Sequence, residues 1–172
     1  MTAAPPRLGA TRLVAVDGPS GAGKSTFARA LAEQLGAQLI STDHFATWDD
    51  PTTRWWPTLE RALLRVADGH EARYRKTDWS QGFPCVGEGD EVTISPQGTI
   101  ILEGFSSARK ANVHASYRVF VDHADEQARL DRATARDGEH QRAHLIRWQQ
   151  YERGWFAVDE TRARADYVVT SS

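Results

Sequence analysis

The sequence has a single cysteine, Cys85, and a single methionine in 172 residues, no excess of one charge and no long apolar run. Each scarcity excludes a class of protein. One thiol cannot close an internal disulfide or supply a multi-cysteine zinc or iron-sulfur site. A reducing, cytoplasmic compartment is the expectation. Lys and Arg total 21 against 23 Asp and Glu, a net charge of -2. No global basic field therefore draws in nucleic acid or an anionic membrane, and any anion site must be local. The apolar runs near Leu13 to Val16 and Ile100 to Leu102 fall far short of the roughly 20 residues of a membrane helix. Met1 to Gly9 lacks the apolar stretch of a signal peptide.

What is present is an ordinary globular composition, 40% hydrophobic and 26% charged, in a length that suits one domain at about 150 residues per domain. Leu13 to Val16 reads as a buried strand running into a turn at Gly18. Lys24 to Leu35 repeats Phe27, Leu31 and Leu35 at helical spacing and stops at Gly36. Gln38 to Ser41, Thr99 to Leu102, Tyr117 to Val121 and Tyr167 to Thr170 are further strands, and Val92 to Ile94 is an edge strand or hairpin arm. Helices are predicted over Thr58 to Asp68, Ala124 to Arg136 with Asp122 or Asp125 as cap, and Glu139 to Val158. Strands alternating with helices imply a mostly parallel sheet covered on both faces. The expected layout is one domain over 1–172, with 1–11 flexible, 46–98 an acceptor-side helix and hairpin insertion, and 124–147 a lid region.

The most specific signal is Gly18-Pro19-Ser20-Gly21-Ala22-Gly23-Lys24-Ser25, which matches G-x-x-x-x-G-K-[ST] between a predicted strand and a predicted helix. Glycines let successive backbone amides turn into one concavity, to which the helix starting near Lys24 adds its positive end. Lys24 is placed to bridge the β- and γ-phosphates of a triphosphate, the Ser25 hydroxyl to hold Mg2+, and Thr26 to stand beside the α-phosphate. A chance glycine-rich turn is the bland alternative. Asp43, just past the second strand, faces the ligand crevice of a parallel sheet. It can take the proton of an acceptor hydroxyl, act through the metal's water shell, or merely cap a helix. Glu103 follows a buried strand directly and suits the metal's outer sphere or a sheet-end hydrogen bond. Asp17 either anchors the loop or approaches the metal.

These segments resemble the uridine kinase and phosphoribulokinase branch of the P-loop kinases over most of the chain. Val14 to Thr26 is similar to that family's phosphate loop, Ser41 to Phe45 to its Asp-containing segment, and Ile101 to Gly104 to its acidic strand end. Arg129 to Arg132 with Arg136 and Asp137 is similar to its lid helix, as are the closing Glu152 to Phe156, Asp159 to Arg162 and Ala165-Asp166 to later family segments. The resemblance implies an α/β, three-layer P-loop fold with a five-stranded parallel core and a short helical lid. It also implies ATP with Mg2+, Asp43 as base, and lid arginines on the phosphates: Arg132 in a catalytic role, Arg129 and Arg136 in binding. The acceptor region departs from the family: Thr77-Asp78-Trp79 stands where a Tyr-Asp-Phe segment is usual, and Arg54-Trp55-Trp56 where a ribose-binding acid is expected.

Six tryptophans are many for this length. Trp48, Trp55, Trp56 and Trp79 border the expected acceptor pocket, where they either stack on an acceptor ring or pack in the core; Trp148 and Trp155 are expected in the core. Trp48, Arg54, Trp55, Asp78 and Trp79, together with Asp43, are the acceptor-binding candidates. Arg73, Arg75 and Lys76 around Tyr74 form a basic stretch, read as a solvated hairpin face in preference to a nucleic-acid contact. His44 and His123 stand near the site with structural roles as the default. The sequence thus points to a kinase that moves the γ-phosphoryl of ATP to a hydroxyl of a small molecule, a nucleoside first. A nucleoside monophosphate or sugar-like acceptor is the alternative, and a nucleotide-dependent ATPase or switch is the rival of another class. Neither nucleic acid nor membrane is an expected partner, and a homo-oligomer is left open.

Overall fold

The computed structural model describes residues 4–47, 55–82 and 85–170. Five parallel strands form the central sheet: β1 (Arg12–Asp17), β2 (Gln38–Ser41), β5 (Thr99–Glu103), β6 (Ala115–Asp122) and β7 (Tyr167–Thr170), in the order β2-β5-β1-β6-β7. Between them run the helices α1 (Lys24–Leu35), α2 (Trp56–Ala67), α3 (Glu126–Asp137) and α4 (Arg142–Asp159). A separate antiparallel hairpin consists of β3 (Ala72–Asp78) and β4 (Gly87–Ile94). Short 3-10 turns cover Thr42–His44 and Glu139–Gln141.

The period-2 alternation of the strands sorts their apolar side chains onto two faces. Leu13, Ile100, Leu102 and Ile40 pack with Leu59, Leu63 and Val66 of α2, while Val14, Val16, Ile101, Val119 and Val121 pack with Ala28 and Ala32 of α1. α4 lies on the α2 side, where its Phe156 meets Phe120 of β6 and Phe105 edge to face. β1 is therefore covered on both faces and both edges, and the chain leaves its carboxyl end into the glycine-rich loop. The chain runs from β1 to β2 on one side and from β5 back past β1 to β6 on the other, and this reversal opens the ligand crevice of this sheet type at the strands' carboxyl ends.

Most expected elements lie within two residues of their predicted bounds, and the exceptions have physical reasons. α2 begins at Trp56 because Pro57 fits the first turn. Asp125, not Asp122, caps α3 through the Ala128 amide at 3.0 Å, while Asp122 accepts from the Arg162 guanidinium at 2.8 Å. The helix expected from Glu139 starts with a 3-10 turn and becomes α-helical at Arg142. The flexible start expected for 1–11 is not found over its later part: Leu8 is fully buried in the α2-side core and bridges to Thr11. No helix among the described residues is long and apolar enough to cross a membrane.

Leu102 is wholly enclosed between β1, β2 and α2. Leu102→Ala is expected to lower stability by about 2–5 kcal/mol, the range for a cavity in a core that cannot collapse. Urea denaturation measures it, and a loss near zero would mean that this face of the sheet is not close-packed.

Candidate active site at the phosphate loop

Residues 18–23 leave β1 and turn back into α1 with Gly18, Gly21 and Gly23 all at positive φ. Close approach makes glycine necessary at two of them. A Cβ on Gly18 would stand 2.1 Å from the Val121 carbonyl oxygen, and one on Gly21 would stand 2.2 Å from that of Arg129. Gly23 is the N-cap of α1, with no side-chain cap and no acidic residue in the first turn. The orphan amides and positive end of the helix thus face the loop's concavity, the arrangement that suits an anion.

Three buried carboxylates surround this loop. Asp17, at the end of β1, is wholly buried and accepts from the amides of Gly18 at 2.8 Å, Ala108 at 2.9 Å and Ser106 at 3.2 Å. Its role is the anchoring one: it ties the loop's first residue to the segment after β5, where Ser106 holds a left-handed backbone at φ 64°. Burial outweighs these three donors and pushes the Asp17 carboxyl up to about 7. Glu103, at the end of β5, accepts from the Ser25 hydroxyl at 3.1 Å and from the Ser41 side chain. Burial, then the nearby Asp43 charge, raises its pKa.

The third, Glu152, lies on α4 and is 1% exposed. It accepts from the Ser20 amide at 2.9 and 3.1 Å, the Ser20 hydroxyl at 2.7 Å and the Trp148 indole N–H at 3.0 Å. Burial raises its pKa as well. Lys24 is within electrostatic reach of all three and donates to the Pro19 carbonyl at 3.0 Å. Trp148, expected in the core, is instead half-buried with its indole N–H on Ser20 as well as Glu152, and Trp155 is likewise only half-buried.

Asp43 sits exposed in the 3-10 turn after β2, a turn whose N-cap is the Ser41 hydroxyl. Asp43 is thus not itself the cap. The hairpin pins this turn from the other side. The Tyr74 hydroxyl meets His44 Nδ1 at 2.8 Å, Thr77 Oγ1 bonds the His44 and Ala46 carbonyls at 3.2 and 2.9 Å, and the Trp79 indole donates to the Asp43 carbonyl at 3.1 Å. His44 is half-buried, and burial lowers its pKa. Trp55 is a correction: it is buried against Phe45 and Trp56 in the core. Asp78 has both oxygens on Ser80, each at 2.9 Å, and those bonds hold its pKa below the usual range. Trp48 and Arg54 lie outside the described residues.

The three arginines of α3 expected in a lid differ among themselves. Arg132, expected in the catalytic role, is turned to His123 Nε2. Arg129 is nine-tenths buried against the loop, 3.8 Å from Glu126, and its Nε has no hydrogen-bond partner among the described residues. Arg136 bonds Asp137 at 2.6 Å; that bond, and the charges of Asp137, Asp43 and Glu103, hold its guanidinium more firmly protonated. Arg136 is thus the α3 cation within electrostatic reach of the Asp43–Glu103 pair. On the hairpin, Arg73, Arg75 and Lys76 meet Glu91, Glu88 and Asp90 across the strands at 3.8, 3.8 and 2.7 Å. That pairing fits a solvated hairpin face. An apolar groove of about 440 Å3 between α1 and β6–β7 lies at the other end of the strands and carries no reactive group near the loop.

The family model for cytidylate kinase matches residues 14–48, from β1 through the phosphate loop to the Asp43 turn. By structure the chain is similar to the possible uridine kinase of Bacillus stearothermophilus, with a TM-score of 0.62 and 17% identity over 92% of this chain and 88% of that one. The chain has the P-loop kinase fold. By sequence it is 34% identical to a bifunctional pantoate ligase/cytidylate kinase of Gloeobacter violaceus and 36% identical to a cytidylate kinase of Pseudomonas aeruginosa. Those matches take in 48% and 49% of this chain and only 21% and 38% of the relatives' lengths. The P-loop kinase fold explains why the motif residues converge. It did not make Glu152 legible as part of the loop, because 132 residues separate it from Ser20.

The raised carboxyl of Asp17 gives a pH dependence of known sign. A folded-state pKa near 7 against 3.8 unfolded means that the folded chain gains a proton as pH falls through that window. The stability Asp17 contributes is full below about pH 4 and is lost as pH rises towards 7. Denaturation of wild type and Asp17→Asn from pH 4 to pH 7.5 should show the difference shifting against wild type as pH rises, with a slope approaching about 1.4 kcal/mol per pH unit. A difference that moves the other way would mean that the backbone donors outweigh burial.

Proposed function

We propose that the chain is an ATP-dependent small-molecule kinase, in which the γ-phosphoryl of ATP passes to a hydroxyl of an acceptor, most simply a nucleoside. The observation that carries the reading is the convergence of Lys24, Ser25, Glu103, Asp43 and Arg136 at the carboxyl ends of β1, β2 and β5, beside an uncapped helix N-terminus. The oxygen donors fit Mg2+: a serine hydroxyl and a carboxylate 3.1 Å apart, with a second carboxylate close enough to raise the pKa of the first, form a hard, anionic set. Ser25 would hold the ion, with Glu103 and Asp43 in its outer sphere. When bound, it neutralises charge on the transferring phosphates.

The chain's own residues account for the rest. The loop amides and the N-terminus of α1 receive the phosphate oxygens, and Lys24, drawn from Pro19, spans the last two phosphates. Asp43 accepts the proton of the acceptor hydroxyl as its oxygen attacks, and the departing ADP oxygen remains stabilised by the loop. Arg136 reaches over the transferring group from α3. Trp79, held to the Asp43 carbonyl, gives the acceptor an aromatic wall next to the base. Arg129, Arg132 and Thr26 act on the nucleotide side, while Asp78, Trp48 and Arg54 belong to the acceptor side. The cross-strand pairs of Arg73, Arg75 and Lys76 support a neutral acceptor, since a monophosphate group needs cations free to clamp about two negative charges. The monophosphate alternative draws on the cytidylate kinase relatives. The cytidylate kinase family model itself matches residues 14–48, which do not take in the hairpin that would meet the acceptor.

Lys24→Ala is expected to cut phosphoryl transfer by at least about 10²-fold with the fold retained, as removal of one preorganised charge does. Wild-type turnover in that variant would contradict a nucleotide site at the loop. Asp43→Asn is expected to keep ATP affinity within a few-fold and lower kcat by roughly 10²-fold. An unchanged kcat would mean that Asp43 is not the base. Matched nucleoside and nucleoside monophosphate pairs, assayed by ATP-dependent phosphoryl transfer, decide the acceptor class: turnover of the nucleoside is expected, and preference for the monophosphate would overturn the neutral-acceptor reading.

A further inference from the structure

The phosphate loop is gripped from two sides by the helices that follow β6. On one side the Arg129 carbonyl of α3 leaves no room for a Cβ on Gly21. On the other, α4 sends in Glu152 and Trp148 from adjacent turns of the helix, and both end on Ser20. Glu152 carries no role in the phosphoryl transfer described above, yet it is a wholly enclosed carboxylate, a group that is costly to bury unless donors surround it. It has them: the amide and hydroxyl of Ser20 and the indole N–H of Trp148. Three hydrogen bonds from one residue of a loop to one carboxylate fix both the backbone direction and the side-chain rotamer of that residue. The Ser20 N–H is thereby turned to α4, which leaves the anion cradle to amides later in the loop.

We propose that Glu152 is a positioning residue of the phosphate loop: through the Ser20 amide and hydroxyl it holds the loop in the shape that receives the nucleotide's phosphates, and so joins α4 to nucleotide binding. The proposal rests on the nucleotide-binding reading above. A purely structural carboxylate would secure α4 to the body of the protein and affect melting alone. A positioning carboxylate changes the affinity of the folded protein for nucleotide, and does so through Ser20.

The test is calorimetric titration of MgADP into wild type, Lys24→Ala, Ser20→Ala, Glu152→Gln and the Ser20→Ala/Glu152→Gln double variant, with the melting temperature of each recorded. Wild type is expected to bind and Lys24→Ala to lose binding. Ser20→Ala and Glu152→Gln are each expected to weaken MgADP, by several-fold and roughly tenfold respectively, the scale of losing one and several buried hydrogen bonds. The double variant should bind no more weakly than Glu152→Gln, because both changes break one coupled unit. Wild-type affinity in both single variants, or losses that simply add, would overturn the proposal. Should Glu152→Gln fail to fold, Ser20→Ala decides alone: it removes only a hydroxyl, and unchanged affinity in it overturns the proposal. Absence of MgADP binding by wild type would instead remove the nucleotide reading and this proposal with it.

Discussion

Lys24 stands among three buried carboxylates, and the geometry of the whole site follows from how those charges are held. Asp17 ties the start of the loop to the segment after β5, Glu103 ties the first turn of α1 to the ends of β2 and β5, and Glu152 ties the loop to α4. Each carboxylate is raised in pKa by burial, and Lys24 is the cation that opposes the rise at all three. A loop of three glycines at positive φ has little shape of its own. Its shape here is imposed by side chains from three separate segments, each of which spends buried charge to do so. Such an arrangement is costly by itself, and in the proposed function a nucleotide with its divalent cation would add positive charge among acids that are already in place.

The proposed acceptor side is built differently. Its parts are neutral or internally balanced: the 3-10 turn that carries Asp43 is held by a tyrosine, a threonine and a tryptophan of the hairpin, and the hairpin's own cations are met by acids on the opposite strand. Exposed pairs of this kind add little stability, but they take the basic stretch out of play as a free anion clamp. Asp43 and Trp79, the proposed base and acceptor wall, are thus positioned by uncharged contacts, while buried charge is concentrated around the loop. That division suits an acceptor recognised by stacking and hydroxyl contacts.

Legibility in the sequence follows the separation of the interacting residues. The strand, glycine-rich turn and helix from Leu13 to Leu35 are contiguous, and their apolar periodicity and motif define them together. Asp43 and Glu103 were legible because each stands at or just past the carboxyl end of a strand, and parallel strands deliver their ends to one crevice. β3 was harder. Its residues Arg73, Arg75, Lys76 and Thr77 give no apolar alternation, and only pairing with β4 shows that Tyr74 turns inward to Phe45, at 4.5 Å between rings. The tryptophans illustrate the same limit: Trp55 and Trp79 are equal as residue types, yet one is enclosed by Phe45 and Trp56 while the other reaches the Asp43 carbonyl. In the sequence Glu152 is only one residue of the closing segment Glu152 to Phe156, because a buried glutamate on a helix looks the same as a solvated one until the chain is folded. The available signal was its place one helical turn after Trp148, which puts an indole donor and a carboxylate on one face.

In the proposed reaction the phosphoryl group goes to an acceptor and not to water. Steady-state ATP consumption, measured with Mg2+ in the absence of acceptor and then with a panel of nucleosides, nucleoside monophosphates and sugars, tests it most directly. A kinase should consume ATP slowly alone and at least about tenfold faster with its acceptor, with one phosphorylated product formed per ADP released. Turnover that is the same with every member of the panel as without it, and that yields only inorganic phosphate, would contradict the claim and mark the chain as an ATPase.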